Sequence, residues 1–203
     1  RKRKIPSNKF HKLWFTVEWR KLVNSVNPGT YKNESREARL VIPMFNKEGK
    51  IESMQGRALK SNDPNKYITI KACENASKIY GLDGVDEKKL VYFLEGPIDT
   101  LFLENSCAIT GGSLSLDVVP YKDNRAFVLD NEPRHPDTIK RMRSLIDKGE
   151  NIVIWDKAPW VTSDINDMLV KENANLEEVV NYIKNNVVYG LEARLRFEKW
   201  AKV

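Results

Sequence analysis

Cysteine and histidine are scarce in this sequence. Its two cysteines, Cys73 and Cys107, lack a CxxC spacing, and no histidine pair lies near them. Neither a zinc site nor a disulfide framework is suggested, and both cysteines read as buried thiols. No stretch approaches the roughly 18 continuous apolar residues of a membrane span. The start has no apolar signal-peptide core, so the chain reads as cytoplasmic, with no membrane partner. Internal repeats are missing, and the only low-complexity tract is the opening "RKRK". The first residue is not methionine, which reads as a piece of something larger.

What is present is a 203-residue chain with 41% hydrophobic residues, enough for one generous domain or two small ones. Its charge is divided. Residues 1–80 hold 18 Lys/Arg against 7 Asp/Glu, a net of +11, and residues 90–170 hold 8 against 13, a net of −5. A basic first part suits a polyanion such as nucleic acid, because phosphate contacts release counterions. An acidic second part suits multivalent cations. Chance segregation of solvated surface charge is the alternative.

The alternation around "NKEG" predicts a β-hairpin over 38–59, and "KYITI" a further strand. From Leu90 the texture changes to strand 90–95, helix 97–105, strand 107–110, helix 115–120, strand 126–130, helix 136–148 and strand 151–155. Such alternation implies a parallel sheet flanked by helices, an α/β fold. "SDINDMLVKEN", "NLEEVVNYIKNN" and "GLEARLRFEKWAKV" read as closing helices with apolar stripes. The boundary between the halves falls in "GLDGVDEKK", residues 81–89.

The hydrophobic run "LVYFL" ends on an acid, Glu95. "AFVLDNE" ends on Asp130 and Glu132, and "NIVIWD" on Asp156. In open α/β sheets ligands bind beyond the carboxyl ends of the strands. If the chain stays extended, residues 130 and 132 share one side and face one ion. Hard carboxylate oxygens so gathered call for a divalent cation, and Mg²⁺ is the usual one where substrate phosphates supply further ligands. Each acid also has a plain structural reading. Asp99 suits the positive end of a helix, and Asp164 with Asp167 resembles a capping box.

"LEGPIDTLF", "VLDNEPRHPDT" and "SDINDML" resemble the conserved blocks of the TOPRIM fold of bacterial-type primases, type IA and II topoisomerases and some nucleases. Glu132 stands where that family has the second Asp of a D-x-D, which keeps the charge and adds one methylene. Over nearly the whole chain, "LWFTVEWRKLVNSVNPGTY", "RLVIPMFNKEGKIESMQGRALK" and "KIYG" among others resemble the primases of T-even-like bacteriophages.

That resemblance implies an RNA-polymerase part of a primase: a basic mixed α+β subdomain at 1–89, a TOPRIM metal-binding subdomain at 90–170 and a C-terminal helical segment at 171–203. Implied chemistry is two-metal nucleotidyl transfer with Mg²⁺ or Mn²⁺. Asp130 and Glu132 would be the principal ligands, and Asp164 and Asp167 would complete the set beside Asn166. Glu95 would serve as ligand or proton handler, and Asp99 would hold a metal-bound water. Arg57, Lys66 and Lys78 match the family's basic positions for template or nucleotide. Single-stranded DNA and ribonucleoside triphosphates would be substrates and the replicative helicase a partner. A zinc ribbon is expected in an upstream domain, and no zinc in this stretch.

Other features stay two-sided. Gly111, Gly112 and Ser113 suit either a phosphate approach or a plain βα turn. Phe10, Trp14, Phe15 and Trp19 suit core packing ahead of base stacking, and Trp160 could lie near substrate. His11 and His135 read as surface or hydrogen-bonding residues. A nuclease or topoisomerase of the same fold, or a non-catalytic module binding single-stranded DNA or a helicase, are the competing functions.

Overall fold

The structure is a computed structural model that describes residues 2–60, 63–110 and 116–202. The first sheet is antiparallel, in the order β1-β2-β3-β4, from β1 (Trp14–Thr16), β2 (Arg39–Phe45), β3 (Ile51–Ala58) and β4 (Tyr67–Lys71). The expected hairpin is β2–β3. Its turn is held by Asn46, whose side-chain oxygen accepts from the Glu48 and Lys50 N–H groups, and by Gly49 at φ 75°. Helix α1 (Trp19–Val26) covers one face, burying Trp19 and Val23 against Val41, Met54 and Ile70. Gly56 makes this possible, since a Cβ there would lie 2.6 Å from the Trp19 indole. On the other face Ile42 and Met44 pack against Tyr80 and Ala108 of the second sheet.

The second sheet runs β10-β9-β8-β6-β7-β5. Its strands are β5 (Ile79–Tyr80), β6 (Val91–Leu94), β7 (Ser106–Ile109), β8 (Arg125–Val128), β9 (Asn151–Val153) and β10 (Val187–Val188). The inner four are parallel, while β5 and β10 pair antiparallel at the edges. The sheet is therefore mixed, not wholly parallel. β5 reaches it although it precedes the 81–89 segment, because Ile79 and Tyr80 pair with Ile109 and Ala108.

Helix α2 (Pro136–Asp147) starts with proline at its first position, where the missing N–H costs nothing. It packs on β9 and on α5 (Gly190–Trp200). Helices α3 (Ile165–Lys171) and α4 (Leu176–Asn185) bury Met168, Leu169, Val179 and Ile183 in the same core. Two buried ion pairs brace the sheet, Arg125 of β8 with Glu150 (Nε to Oε2, 2.9 Å) and Arg196 of α5 with Asp156 (Nε to Oδ1, 2.8 Å). Asp156 therefore serves the core.

Two expected helices are not α-helical. The segment 97–105 holds only a 3-10 turn, Asp99–Leu101, in which Leu101, Phe102 and Leu103 each donate three residues back. Asn105 at φ 51° ends it, and the Thr100 and Ser106 hydroxyls donate to the Pro97 and Leu103 carbonyls. Side chains compete there with helical bonds. The segment 115–120 holds a 3-10 turn at Leu116–Val118, and Gly111, Gly112 and Ser113 lie outside the described residues. Cys107 is buried as expected, whereas Cys73 is exposed. Among the described residues no helix is long and apolar enough to cross a membrane.

Candidate functional site: a cleft between an acidic and a cationic wall

The chain leaves β6, forms β7 on one side of it, and returns to lay β8 on the other. A crevice must open at such a switch point, beyond the carboxyl ends of the two strands that flank it. Glu95 follows β6 and Asp130 follows β8 by two residues. A cleft of about 660 Å³ lies there. Glu95, Asp99, Asp130, Asp164 and Asp167 line one side of it, and Arg3, Arg57, Lys66 and Tyr67 the other.

Local bonding aims each acid. Asp99 sits in the 3-10 turn, and its Oδ1 accepts from the Asn166 N–H at 3.0 Å. Its other oxygen lies close to Gly96, where a Cβ would stand 2.7 Å away, so the "EGP" glycine leaves room for it. Asp164 caps α3, accepting from the Asp167 N–H at 2.6 Å, so the capping reading holds while the residue also lines the cleft. Asp167 accepts from Lys171 at 2.6 Å. Glu95 lies 2.9 Å from Arg141 Nη1 on α2, yet its buried Oε1 has no aligned hydrogen bond.

Asp130 is held through its neighbour Asn131, which is buried and fully engaged. The Asn131 N–H donates to the Ser163 carbonyl at 2.7 Å, its amide donates to the Trp160 carbonyl at 3.0 Å, and Trp200 donates to its Oδ1 at 2.9 Å.

Crowding of these carboxylates shows in their acidities. Burial pushes Asp130 up to about 8, and the charges of Glu95, Asp99, Asp164 and Glu132 add to the rise. Burial, then Asp164, pushes Asp99 up to about 7 against the lowering bond from Asn166. Glu95 is raised by burial and opposed by Arg141.

Glu132 is not in the cleft lining. The Glu132 N–H donates to the Asp130 carbonyl at 2.9 Å, a tight turn that breaks the extended path the two-residue spacing assumed. Its carboxylate accepts from Thr138 at 2.8 Å and lies 4.0 Å from His135. It acts on the cleft through its charge, felt by Glu95 and Asp130.

On the opposite wall, Arg57 and Lys66 meet over the Tyr67 ring, at 5.1 and 5.7 Å from its centroid. Lys78 is not in the cleft lining. Its carbonyl holds Thr110, which is in the lining. Trp160 and Trp19 are core residues, whereas Phe10, Trp14 and Phe15 are exposed. His11 is exposed as well.

Four participants escaped the sequence reading. Arg3 donates to Asn166 Oδ1 at 2.8 Å while Asn166 donates back to the Arg3 carbonyl at 2.6 Å. Lys4 donates to the Leu169 carbonyl at 2.7 Å, so the basic start straps α3. Tyr67 and Gln55 also line the cleft. Only the charge of "RKRK" signalled Arg3, since its partner is 163 residues away.

The chain is 59% identical over 199 residues to the DNA primase of Enterobacteria phage T4, matching 98% of its own length and 58% of that protein's. It therefore spans little more than half of this relative. No protein-family model matches it. Among solved structures it resembles the Aquifex aeolicus primase (zinc-binding and RNA polymerase domains), with TM-score 0.68, 18% identity and coverage of 98% and 58% of the two chains. It also resembles the RNA polymerase domain of the Mycobacterium tuberculosis primase bound to a double-stranded DNA oligomer with an overhang (0.69; 13%; 94% and 72%). A third is the Escherichia coli primase catalytic core (0.61; 15%; 96% and 73%). Its fold is thus that of primase catalytic cores, with mixed sheets and flanking helices.

Proposed function

We propose, from a premise of close similarity to a phage DNA primase, that this chain is the RNA-polymerase core of such an enzyme. It makes short RNA primers on single-stranded DNA from ribonucleoside triphosphates. The observation that carries the reading is the convergence of five carboxylates, from three segments remote in sequence, on one cleft that Arg3, Arg57 and Lys66 also line. In this reading the second sheet is the TOPRIM-type metal-binding unit of residues 90–170. Residues 1–89 form the template and triphosphate side, and 171–203 the helices that back it. The replicative helicase is the proposed partner.

The donor set fits hard divalent ions. Among the described residues no three acidic, His or Cys side chains already stand as a closed cage. Mg²⁺ does not require one, because it is held by one or two carboxylates with substrate phosphates and water. Burial and the neighbouring carboxylates raise the pKa of Asp99 and Asp130, and a cation between them would relieve both costs. Glu95, Asp99, Asp130, Asp164 and Asp167 would hold Mg²⁺ or Mn²⁺. Glu132 adds charge behind them. Such ions, when bound, lower the pKa of the primer hydroxyl and neutralise the leaving pyrophosphate.

The chain's own residues do the rest. Arg57 and Lys66 bind and orient phosphate oxygens. Arg141 fixes the rotamer of Glu95, and the Asn131 hub fixes the loop that presents Asp130.

Asp130→Asn tests the reading in the full-length protein. Mg²⁺-dependent primer formation should vanish with the fold intact, and normal synthesis would overturn the assignment. Supercoiled plasmid with divalent metal is the control, since nicking or relaxation would favour a nuclease or topoisomerase.

A further inference from the structure

We propose that Thr69, held by the buried amide of Gln55, selects the sugar of the incoming nucleotide by bonding its 2′-hydroxyl. The inference deepens the proposed function and rests on it for a triphosphate in the cleft. Its geometry comes from one row of the first sheet, in which Ile42 pairs with Gln55 and Gln55 with Thr69. Directly paired residues project to the same face of a sheet. The row therefore runs from the core, where Ile42 is fully buried, through Gln55 at 6% exposure to the half-buried Thr69. Gln55 and Thr69 both line the cleft. Along their strands they stand two residues from Arg57 and Tyr67, and so share a face with them.

Folding does not explain the amide. Gln55 Nε2 donates to Thr69 Oγ1 at 3.3 Å, but the buried Oε1 has no hydrogen-bond partner among the described residues. An orphaned buried carbonyl is destabilising, and an apolar side chain like that of its neighbour Ile42 would avoid it. What the amide does is hold Thr69. A hydroxyl has one proton and two lone pairs. Gln55 occupies one lone pair, and the proton has no acceptor among the described residues, so Thr69 can still donate and accept toward the cleft. Thr110 and Asn166, also neutral and in the lining, are already engaged with the Lys78 carbonyl and with Arg3. The charged lining suits phosphates and ions, which leaves an uncharged part of the nucleotide for Thr69. A base is the wrong part, because a templated polymerase takes four bases whose edges carry different donor and acceptor patterns. The sugar is common to all four. Its 2′-hydroxyl, both donor and acceptor, separates RNA precursors from DNA precursors.

Primer extension by the full-length protein on a single-stranded template tests this, with one nucleotide supplied as either the ribonucleoside or the 2′-deoxyribonucleoside triphosphate. The wild type should favour the ribo form at least about a hundredfold in kcat/KM, as a site built to bond a hydroxyl does. Thr69→Val keeps the shape without the hydroxyl. It should lower kcat/KM for the ribo form about thirtyfold and leave the deoxy form unchanged. Thr69→Ser should keep the wild-type preference. Gln55→Leu should lower the preference about tenfold while unfolding at the same or higher urea concentration, since the orphaned carbonyl is gone. An amide kept only for folding would do the reverse, losing stability with the preference intact. A wild type that does not distinguish the two sugars, or a Thr69→Val that slows both equally, overturns the selection and leaves the proposed function standing. A wild type that forms no primer from ribonucleotides overturns the proposed function, and the selection with it.

Discussion

The two walls of the cleft follow opposite rules. The acidic wall is built from the ends of parallel strands and the first turn of α3, with its key carboxylates half-buried and their pKa values raised. The cationic wall is one end of an antiparallel sheet, where Arg57 is half-buried and Lys66 and Tyr67 are exposed. Buried carboxylates are costly without a cation, whereas exposed cations cost little and adapt to a flexible polyanion. On the proposed function, this difference would give fixed geometry to a metal side and tolerance to a template side.

Substitutions on the two walls should therefore behave differently. Asp130→Asn should lower primer synthesis by at least about a hundredfold, the scale of losing a group that stabilises transition-state charge. The same substitution should stabilise the metal-free fold. Because its folded pKa near 8 lies above its unfolded value, ionising Asp130 costs stability. That cost is absent below about pH 4, grows up to about pH 8 and is complete above it, on the order of a few kcal/mol. Denaturation of the metal-free wild type across this range should show stability falling as pH rises, and Asp130→Asn should flatten the profile.

Away from both walls, Gly56→Ala should destabilise the first sheet by about 1–3 kcal/mol in urea, because its Cβ meets the Trp19 ring. On the cationic wall Arg57→Ala should raise the KM for ribonucleoside triphosphate about tenfold, about 1.4 kcal/mol, with little change in metal affinity. Asp164→Ala is the smallest in stability, costing about 1 kcal/mol as a lost helix cap. It separates the two roles of that residue, since metal affinity should fall by more than the cap accounts for.

How far the sequence could be read differs between the same two regions. Apolar runs ending in acids placed β6, β8 and the residues after them, because buried parallel strands are local in pattern and the ligand-bearing ends of such a sheet are general. The path from Asp130 to Glu132 was not legible because it depends on a turn within "LDNEP", a single backbone hydrogen bond with no periodic signature. The 97–105 helix failed where Thr100 and Ser106 hydroxyls diverted carbonyls from helical bonding. Arg3 and Tyr67 could not be read, since one finds Asn166 across 163 residues and the other owes its neighbours to register.

Divalent ion binding tests the central claim most directly. Mn²⁺ titrated into the wild-type chain, followed by calorimetry in buffers of differing ionisation enthalpy near pH 7, should bind with release of protons from the crowded carboxylates. Asp130→Asn should bind at least about tenfold more weakly and release fewer protons. Equal Mn²⁺ affinity in the two proteins, or binding without proton release, would contradict a metal held between the ends of β6 and β8.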